Sequence, residues 1–447
     1  MHRILILILF LLVVSLTGKS QEKVVLTPAV ADSLSWEHYQ EKAWPALLKV
    51  TEESLRQGID FYYLRVRAGV AAFEMKKFRK AVVHLSAAHE AYKEDEFTTG
   101  YLHASLVMAG RQDEARLLAG RLTADTRARL GIRLQGALSS LSAENYLSGN
   151  TNHASLVEEN IAEAGSYSNY RSVLRRQWYT SVGADLHLSP RFNLYTNLSH
   201  IAIDRTQHFT SVPNLVEATM PTTTAQWQLF SQGRFLTGKG WRLFSSLSFL
   251  KGESPYHYPE VASPGVYALT GASLRYTDWL FNTGFAREMA LVTPLFSVTG
   301  GEINGFRQIQ VNGRLTIYPF GNSNFYLVSE GSLHFDEGTD HPKSVFTQKA
   351  AVKAGPVWLT GEATRGDIAR FSTAEGLVVY NMPETVSAMT GATLWIPLFA
   401  YKMNAALRYQ LSEKKGTTFV YTNPTDYYTK YYTFNDHSLL ISLTWNF

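Results

Sequence analysis

The apolar and polar positions of this chain follow two different periods, and the period changes near residue 130. Before that point, segments such as 61–75 and 78–92 are rich in Ala, Leu, Lys and Glu and contain few turn residues, which is typical of helices. After it, apolar and polar residues alternate, as in QIQVNGRLTIYP at 308–319 and in the segment 399–412. A period of two is that of a strand with one apolar face. The sequence therefore predicts a helical first part and a β-sheet over the rest.

The predicted strands are long enough to cross a lipid bilayer. They run for about ten to fourteen residues, where strands usually have about five or six and a transmembrane strand needs about 9–11. Counting from a first strand at 132–146, the segment 131–447 predicts about fourteen antiparallel strands. The expected connections alternate between short periplasmic turns, such as 276–278, and long external ones, such as 204–222, 251–264, 288–304 and 366–384. An even strand number with this alternation predicts a closed transmembrane β-barrel, whose apolar faces are covered by lipid.

The last residues, HSLLISLTWNF, place Leu443, Trp445 and Phe447 on one face of a strand that runs to the end of the chain. This ending resembles the terminal strand of bacterial outer-membrane barrels, which finishes on an aromatic residue with apolar residues at alternate positions. The resemblance implies that the barrel insertion machinery reads this terminal signal. It also implies that the barrel lies in the outer membrane of a Gram-negative cell.

Small and large apolar residues recur at a regular spacing in the helical part, 36–130. They resemble a tetratricopeptide repeat, since Ala81 and Ala115 lie thirty-four residues apart. The positions that carry the likeness are Gly69, Ala72, Phe78, Ala81, Leu85, Ala88 and Ala115. His103 and Gln112 depart from the repeat pattern, and a plain helical bundle is the alternative. Such a repeat domain is expected to dock a periplasmic protein partner.

The N-terminus predicts export. Arg3 precedes an apolar run from 4 to 17 and small residues follow, so residues 1–20 read as a cleaved signal peptide with a linker at 21–35. A short membrane anchor is the alternative. The chain has no Cys, which excludes disulfides and thiolate metal sites. With an even number of strands, both ends of the barrel lie on the side of the short turns, so the helical domain is expected in the periplasm.

Composition agrees with a sheet in lipid and excludes some functions. Aromatic residues make up 13% of the chain and charged residues 18%. The formal net charge of +4 gives no nucleic-acid signature. No Gly-rich phosphate loop follows any predicted strand, and the sequence predicts no cofactor.

Charged residues on the polar faces of the predicted strands are expected to line the lumen. Most of them are cationic, so the sequence favours anionic solutes, unless the charges pair with one another and plug a narrow barrel. The expected cations are Arg234, Arg242, Arg275, Arg314, Lys349, Lys353, Lys402 and Arg408, and the expected acids are Asp185, Glu330 and Glu362.

Candidate catalytic and metal-binding residues are few. His187 and Ser189 share a strand face, and His334 is near Glu330, but nothing in the sequence brings a nucleophile, a base and an acid together. The loop acids at 336–340 could bind calcium, but solvated loop residues are the simpler interpretation. We therefore expect neither an enzyme nor a metal site.

The domain order resembles that of bacterial exopolysaccharide exporters and of YaiO-type barrel proteins. The resemblance implies a porin-like pore for export or diffusion of solutes or polymer. The alternative is a sealed barrel that anchors a protein-binding repeat domain, and a barrel enzyme acting on lipid ranks third.

Overall fold

The computed structural model describes residues 26–134, 136–211, 216–263, 266–339 and 341–447. The predicted signal peptide, 1–20, lies outside these residues. Within them, no helix combines the length and the apolarity that a membrane-crossing helix needs. The predicted linker at 21–35 is corrected in part, because the first helix already begins at Pro28.

The N-terminal part is a helical domain. Its helices are α1 (Pro28–Gln40), α2 (Trp44–Arg56), α3 (Tyr62–Glu74), α4 (Phe78–Ala91), α5 (Glu96–Met108), α6 (Gln112–Ala119) and α7 (Ala124–Arg129). Local chemistry sets several of the starts: the Thr27 side chain accepts from the backbone N–H of Val30, and Asp95 accepts from those of Phe97 and Thr98. Successive helices pack against one another through one apolar core.

Small residues allow helices α3 and α4 to approach closely. A Cβ added at Gly69 would lie 2.4 Å from Cγ of Leu85, so the leucine occupies the space that a larger residue would need. The other positions of the repeat-like spacing are also buried, with Ala72, Ala81 and Leu85 at zero exposure. This packing accounts for the spacing of small residues in the sequence.

The rest of the chain is a closed antiparallel barrel of fourteen strands, in agreement with the number predicted. The barrel strands are β1 (Leu138–Asn150), β2 (Ser168–Ser189), β3 (Phe192–Ser211), β4 (Val216–Gly238), β5 (Trp241–Ser263), β6 (Val266–Arg287), β7 (Val292–Ile303), β8 (Phe306–Ile317), β9 (Phe325–Asp336), β10 (Lys343–Ala354), β11 (Val357–Ile368), β14 (Thr385–Leu398), β15 (Met403–Tyr421) and β16 (Tyr427–Asn446). A short hairpin, β12 (Phe371–Thr373) and β13 (Val378–Tyr380), lies between β11 and β14, and a short helix, α8 (His153–Glu158), follows β1.

The last strand closes the barrel. Strand β16 pairs with both β15 and β1, with Leu443 opposite Ala143 and Trp445 opposite Leu141. The backbone N–H of Phe447 donates to the carbonyl of Ser139 at 3.0 Å. The chain end thus completes the ladder and leaves no open edge at this seam.

Apolar side chains cover the outer face of the barrel. Leu247, Phe346 and Ile441 are exposed by 53%, 55% and 49%, and the residues on either side of each are buried or half-buried. A monomer in water rarely exposes so continuous an apolar surface. A bilayer is the medium that covers it.

The strands β2 to β6 are longer than the sequence suggested, with 20–23 residues each. The predicted long connections at 204–222 and 251–264 are wrong, because strand pairing runs through most of both segments. A strand needs only about 9–11 residues to cross the bilayer. About half of each of these strands therefore extends beyond the hydrocarbon.

The connections around β6 and β7 were also predicted wrongly. Residues 276–278 lie inside β6, and β7 occupies most of the expected long connection at 288–304. Tyr276 and Thr277 resemble turn residues, but cross-strand pairing with β5 keeps them extended. The two errors offset each other, so the strand number was still correct.

The helical domain contacts the barrel at the turns of one end, which we call the proximal end; the other is the distal end. Arg79, at the start of α4, is 1% exposed. Its guanidinium donates to Glu288, Met289 and Thr293 at 2.8 Å each and lies 3.8 Å from the ring centre of Tyr318. These contacts tie the domain to the turns that precede β7 and follow β8.

Candidate functional site: the barrel lumen

The connection between β11 and β14 folds into the lumen and reaches the opposite wall. We call residues 369–384 the inner hairpin. Its backbone carbonyls at 375, 376 and 377 accept hydrogen bonds from Ser246, Ser248 and Gln228, which lie on β4 and β5. Gln310 on β8 donates to the carbonyl of Ser372 at 2.8 Å. The inner hairpin therefore crosses the barrel interior.

The inner hairpin contains two strained backbone conformations and is held in place by ion pairs. Ala374 and Glu375 have φ values of 50° and 56°, a conformation that costs free energy for residues other than glycine. The Glu375 carboxylate pairs with Arg314 at 2.9 Å. At the other end of the hairpin, Arg205 and Glu384 form a two-pronged ion pair at 2.5 and 2.7 Å, with both side chains at least 90% buried.

A cavity of about 360 Å³ lies between the inner hairpin and the wall, with lining residues from β1–β4, β8–β11 and β14–β16. Part of its lining is apolar and comes from Ile201, Ile203, Leu377, Met382 and Met389. The rest is polar and charged. Ligand pockets in proteins have volumes of roughly 300–1,000 Å³ and a similar mixture of many apolar and a few polar groups.

Most of the predicted lumen charges face inward and pair with one another. Arg234 pairs with Asp185, and Arg314 pairs with Glu330 at 2.7 Å. Glu362 on β11 pairs with Lys349 at 3.0 Å and also with Arg408.

One of these contacts spans a whole strand. Glu362 reaches Arg408 across β14, where Gly391 is paired with Glu362 and Thr393 with Arg408. A Cβ at Gly391 would lie 3.4 Å from Oε1 of Glu362, so the missing side chain leaves the carboxylate its path.

Two of the predicted lumen cations are placed elsewhere. Arg275 is on the outer face of β6, its side chain is 80% exposed, and it pairs with Glu253. It lies in the part of β6 that the sequence mistook for a turn. Lys402 is in the turn before β15 rather than in a strand, because residues 399–401 adopt left-handed φ values. Both predictions are corrected.

Two further predicted cations lie on the inner face near the proximal turns. Arg242 alternates with exposed Trp241 and Leu243. Lys353 places its ammonium 4.5 Å from the ring centre of Trp358. Neither residue lines the cavity.

The charges around the cavity balance. Among the described residues its lining contains four acids, Glu144, Glu330, Glu362 and Glu384, and four bases, Arg314, Lys349, Arg408 and Lys414. The expectation that a cationic surplus favours anions therefore does not hold for this cavity. The arrangement of charges around the cavity agrees better with the alternative interpretation, in which the charges pair with one another inside the barrel.

The distal end is narrowed by strand pairing. Residues 168–171 of β2 pair with 418–421 of β15, beyond the ends of β1 and β14. An apolar cluster that includes Leu156, Val173 and Phe434 packs below this contact. Arg171 donates to Thr418 at 2.7 Å and lies 4.7 Å from the ring centre of Tyr432. The tyrosine-rich segment 421–434 thus forms the distal part of the hairpin of β15 and β16.

The candidate catalytic residues do not form a triad. His187 contacts Asn193 at 2.9 Å, and the Ser189 hydroxyl accepts from the backbone N–H groups of Arg191 and Phe192. His334 contacts Gln308 at 2.6 Å. Ser189 therefore shapes a turn, and the two histidines bond to amides.

The loop acid Asp336 is buried and paired. Its carboxylate accepts from Lys343 and Arg370, so cations occupy the place where a calcium ion was considered. Asp340 lies outside the described residues. Among the described residues, no group of three or more His, Asp or Glu side chains could hold a metal ion.

Sequence reasoning missed the inner hairpin. The segment 366–384 was expected to be an external loop, since it is long and lacks alternation. A signal existed in Gln226, Gln228, Ser246, Ser248 and Gln310, whose uncharged polar side chains lie at inward positions. Buried polar groups require partners, and here a backbone supplies most of them.

The chain is a closed antiparallel barrel with an internal hairpin and a helical domain at one end. No protein-family model matches it, and no curated protein sequence is similar to it. Solved structures with a similar barrel include the toluene transporters TodX of P. putida (6% identity, TM-score 0.44) and TbuX of Ralstonia pickettii (5%, 0.46), and a Pseudomonas aeruginosa FadL homologue (8%, 0.42).

Each alignment covers 69–70% of this chain and 90–91% of the other chain. At these TM-scores the likeness carries no argument about substrates. The barrel architecture rests on the strand pairing described above.

Proposed function

We propose that this protein is an outer-membrane channel for small solutes, with the cavity beside the inner hairpin as its binding site. The cavity is the observation that carries the proposal, because it is bounded by the barrel wall and by one removable element. A barrel of eight strands is filled by its own side chains, whereas barrels of 16–18 strands leave an aqueous channel. Fourteen strands leave an interior that needs a filler, and the inner hairpin supplies it.

The size of the cavity favours small solutes over a polymer. The inner hairpin spans the lumen, and its ties to β4, β5 and β8 leave a space of about 360 Å³. An extended polymer would require the inner hairpin to leave the lumen, whereas a small solute requires a local displacement. Export of polymer is therefore the less favoured form of the pore.

The test is single-channel recording of the purified full-length chain in planar bilayers. We expect small, discrete conductance steps, and larger steps when residues 371–380 are replaced by a short Gly-Ser linker. Replacing residues 422–426, the turn between β15 and β16, by a Gly-Ser linker is the control for a changed connection, because it leaves the pairing of β2 with β15 in place. Absence of conductance in both the wild type and the inner-hairpin variant would contradict the proposal.

A sealed anchor is the second candidate, and one observation favours it. The buried pair of Arg205 and Glu384 and the strand pairing between β2 and β15 hold the interior closed. In this case the helical domain performs the function and the barrel holds it at the membrane. Zero conductance in both forms, together with a periplasmic protein captured by cross-linking only when residues 36–130 are present, would support this candidate.

We further propose that the helical domain is a tetratricopeptide-like unit in the periplasm and docks a protein partner. The support is the paired arrangement of α3 with α4 and the close approach at Gly69. The terminal residues Leu443, Trp445 and Phe447 are proposed as the signal for the barrel insertion machinery. They are 44–53% exposed on the outer face, where a partner protein can reach them before lipid does.

A further inference from the structure

The charged groups of the cavity differ in whether they have a partner inside the protein. Arg205 with Glu384 and Arg314 with Glu330 are pairs. The side chain of Glu144 on β1 faces the cavity, and its carboxylate makes no hydrogen bond or ion pair with any other described residue. A carboxylate at the edge of a largely enclosed space is stabilised by a cation that comes from outside.

The opposite part of the same wall has an excess of positive charge. Lys349 and Arg408 share the single carboxylate of Glu362. Nε of Arg408 is buried and has no hydrogen-bond partner among the described residues. A buried donor without an acceptor is costly, so an anion that displaces the groups covering this Nε would supply the missing acceptor.

The unpaired acid and the available guanidinium are close in the barrel wall. Strand β16 alone separates β1 from β15, so their backbones are about 10 Å apart. Leu440 of β16 is paired with Arg408 and with Tyr146 and faces the cavity. Glu144 lies two residues from Tyr146 on the same face of β1. The wall thus presents a negative group, an apolar patch and a positive group in that order.

We infer that the cavity binds short linear peptides of two or three residues with free termini. This inference rests on the proposed function, since it names the solute class of the same cavity. The peptide's ammonium would pair with Glu144, and its carboxylate would accept from Nε of Arg408. An extended chain spans about 3.3–3.6 Å per residue, so three residues extend over about 10 Å, the spacing of the two strands that carry Glu144 and Arg408. The peptide's side chains would contact Leu440 and Met389.

The experiment measures binding by isothermal titration to the full-length chain in detergent, with the tripeptide Ala-Leu-Ala as the probe. The N-acetylated and the C-amidated tripeptides each lack one terminal charge. We expect each to bind about tenfold more weakly, because each loses one charged hydrogen bond. Equal affinities for the three peptides, or no binding of any, would overturn the inference.

Two variants assign the charges to residues. Glu144→Gln should weaken binding of the free tripeptide about tenfold and leave the N-acetylated form unchanged. Arg408→Gln should weaken binding of the free tripeptide about tenfold and leave the C-amidated form unchanged. Glu362 keeps Lys349 as its partner in this variant. Glu158→Gln, an exposed change on α8, is the matched control. Equal loss for all peptides in either cavity variant would indicate a damaged fold and contradict the assignment.

The two proposals fail in distinguishable ways. Swelling of proteoliposomes in arabinose tests the channel without reference to peptides. Swelling together with equal affinities for the three peptides would support the channel and contradict the peptide site. If peptide binding depends on Glu144 but the proteoliposomes do not swell, the binding site is supported and the channel is contradicted.

Discussion

At the scale of single residues, the contact of Gly69 with Leu85 explains why the helical part alternates small and large residues. A methyl group at Gly69 would overlap the Leu85 side chain. We expect Gly69→Ala to lower the free energy of unfolding of the helical domain by about 1–3 kcal/mol. Thermal unfolding followed by circular dichroism at 222 nm measures this, since the helices dominate that signal.

The matched control for this change is Gly100→Ala. Its nearest neighbour is a single methyl of Leu130 at 3.2 Å, and Gly to Ala inside a helix is favourable by about 0.5–1 kcal/mol. The double change Gly69→Ala with Leu85→Ala should lower the free energy of unfolding by less than the sum of the two single changes, because the second change removes the overlap. Unchanged unfolding of Gly69→Ala alone would show that the helices can separate freely.

His84 connects burial to pH dependence. It lies in the core face of α4, and burial lowers its pKa to about 4, with Arg65 as a smaller contribution. Because the unfolded chain has the ordinary value of 6.5, the folded domain binds fewer protons between these values. Stability is therefore complete above pH 6.5 and is lost progressively as the pH falls toward 4, by roughly 1.4 kcal/mol per pH unit.

The measurement is the midpoint of helical unfolding between pH 7 and pH 4. His84→Leu keeps a neutral side chain and should reduce the slope in this range. His89 and His103, whose pKa values are also lowered by burial, contribute the remaining slope. His38→Leu on α1 is the control and should leave the slope in place. An identical slope with and without His84 would assign the acid sensitivity to another group.

Individual residues also show what the sequence could predict. The alternation of β8 and β16 placed their residues on the correct faces, because the period of a strand decides the face without knowledge of its partners. Arg275 and Lys402 were misplaced where the strand limits were wrong. Which acid each cation would contact was beyond the sequence, since pairs such as Glu362 with Arg408 require the register of three strands.

At the scale of elements, the inner hairpin was the main feature that alternation could not reveal. It lacks a continuous face, and its ties are hydrogen bonds from distant strands to its backbone. The distal strand extensions were missed for a related reason. Segments such as 251–263 contain Gly, Pro and Ser, which predict loops, but pairing with β6 keeps the backbone extended.

The buried pair of Arg205 and Glu384 gives a prediction about the inner hairpin. Glu384→Gln removes the charge but keeps the size of the side chain, which leaves Arg205 buried without a countercharge. Breaking such a pair costs about 3–5 kcal/mol. We expect the end of the inner hairpin to detach and the mean conductance in planar bilayers to rise.

The neighbouring pair of Asp204 with Arg176 is the matched control. Its Arg176 side chain is half exposed, and exposed pairs contribute about 0–1 kcal/mol. Asp204→Asn should therefore leave the conductance unchanged. If Glu384→Gln gives the same conductance as Asp204→Asn, the ion pair does not hold the inner hairpin.

At the scale of the whole molecule, the helical domain and the barrel are connected by one buried cation. Arg79 contacts Glu288, Thr293 and Tyr318 on the barrel side. Its loss removes the cation paired with the largely buried Glu288, which keeps the hydrogen bond from the Thr293 hydroxyl. A second interdomain pair, Lys239 with Glu90 at 3.7 Å, is largely exposed, with the lysine side chain at 79%. The two pairs lie at the same interface but differ in desolvation, so they should differ in strength.

We expect Arg79→Met to weaken domain docking by about 3–5 kcal/mol and Lys239→Met by less than about 1 kcal/mol. Because the chain has no cysteine, spin labels can be placed uniquely at Lys49→Cys on α2 and Lys402→Cys in a proximal turn. Electron–electron distance measurements should give one narrow distribution for the parent and for Lys239→Met, and a broad one for Arg79→Met. A narrow distribution in all three proteins would mean that the apolar and backbone contacts of the interface hold the domain without this cation. In that case the buried arginine would serve the folding of the turn at 288–293 rather than the attachment of the domain.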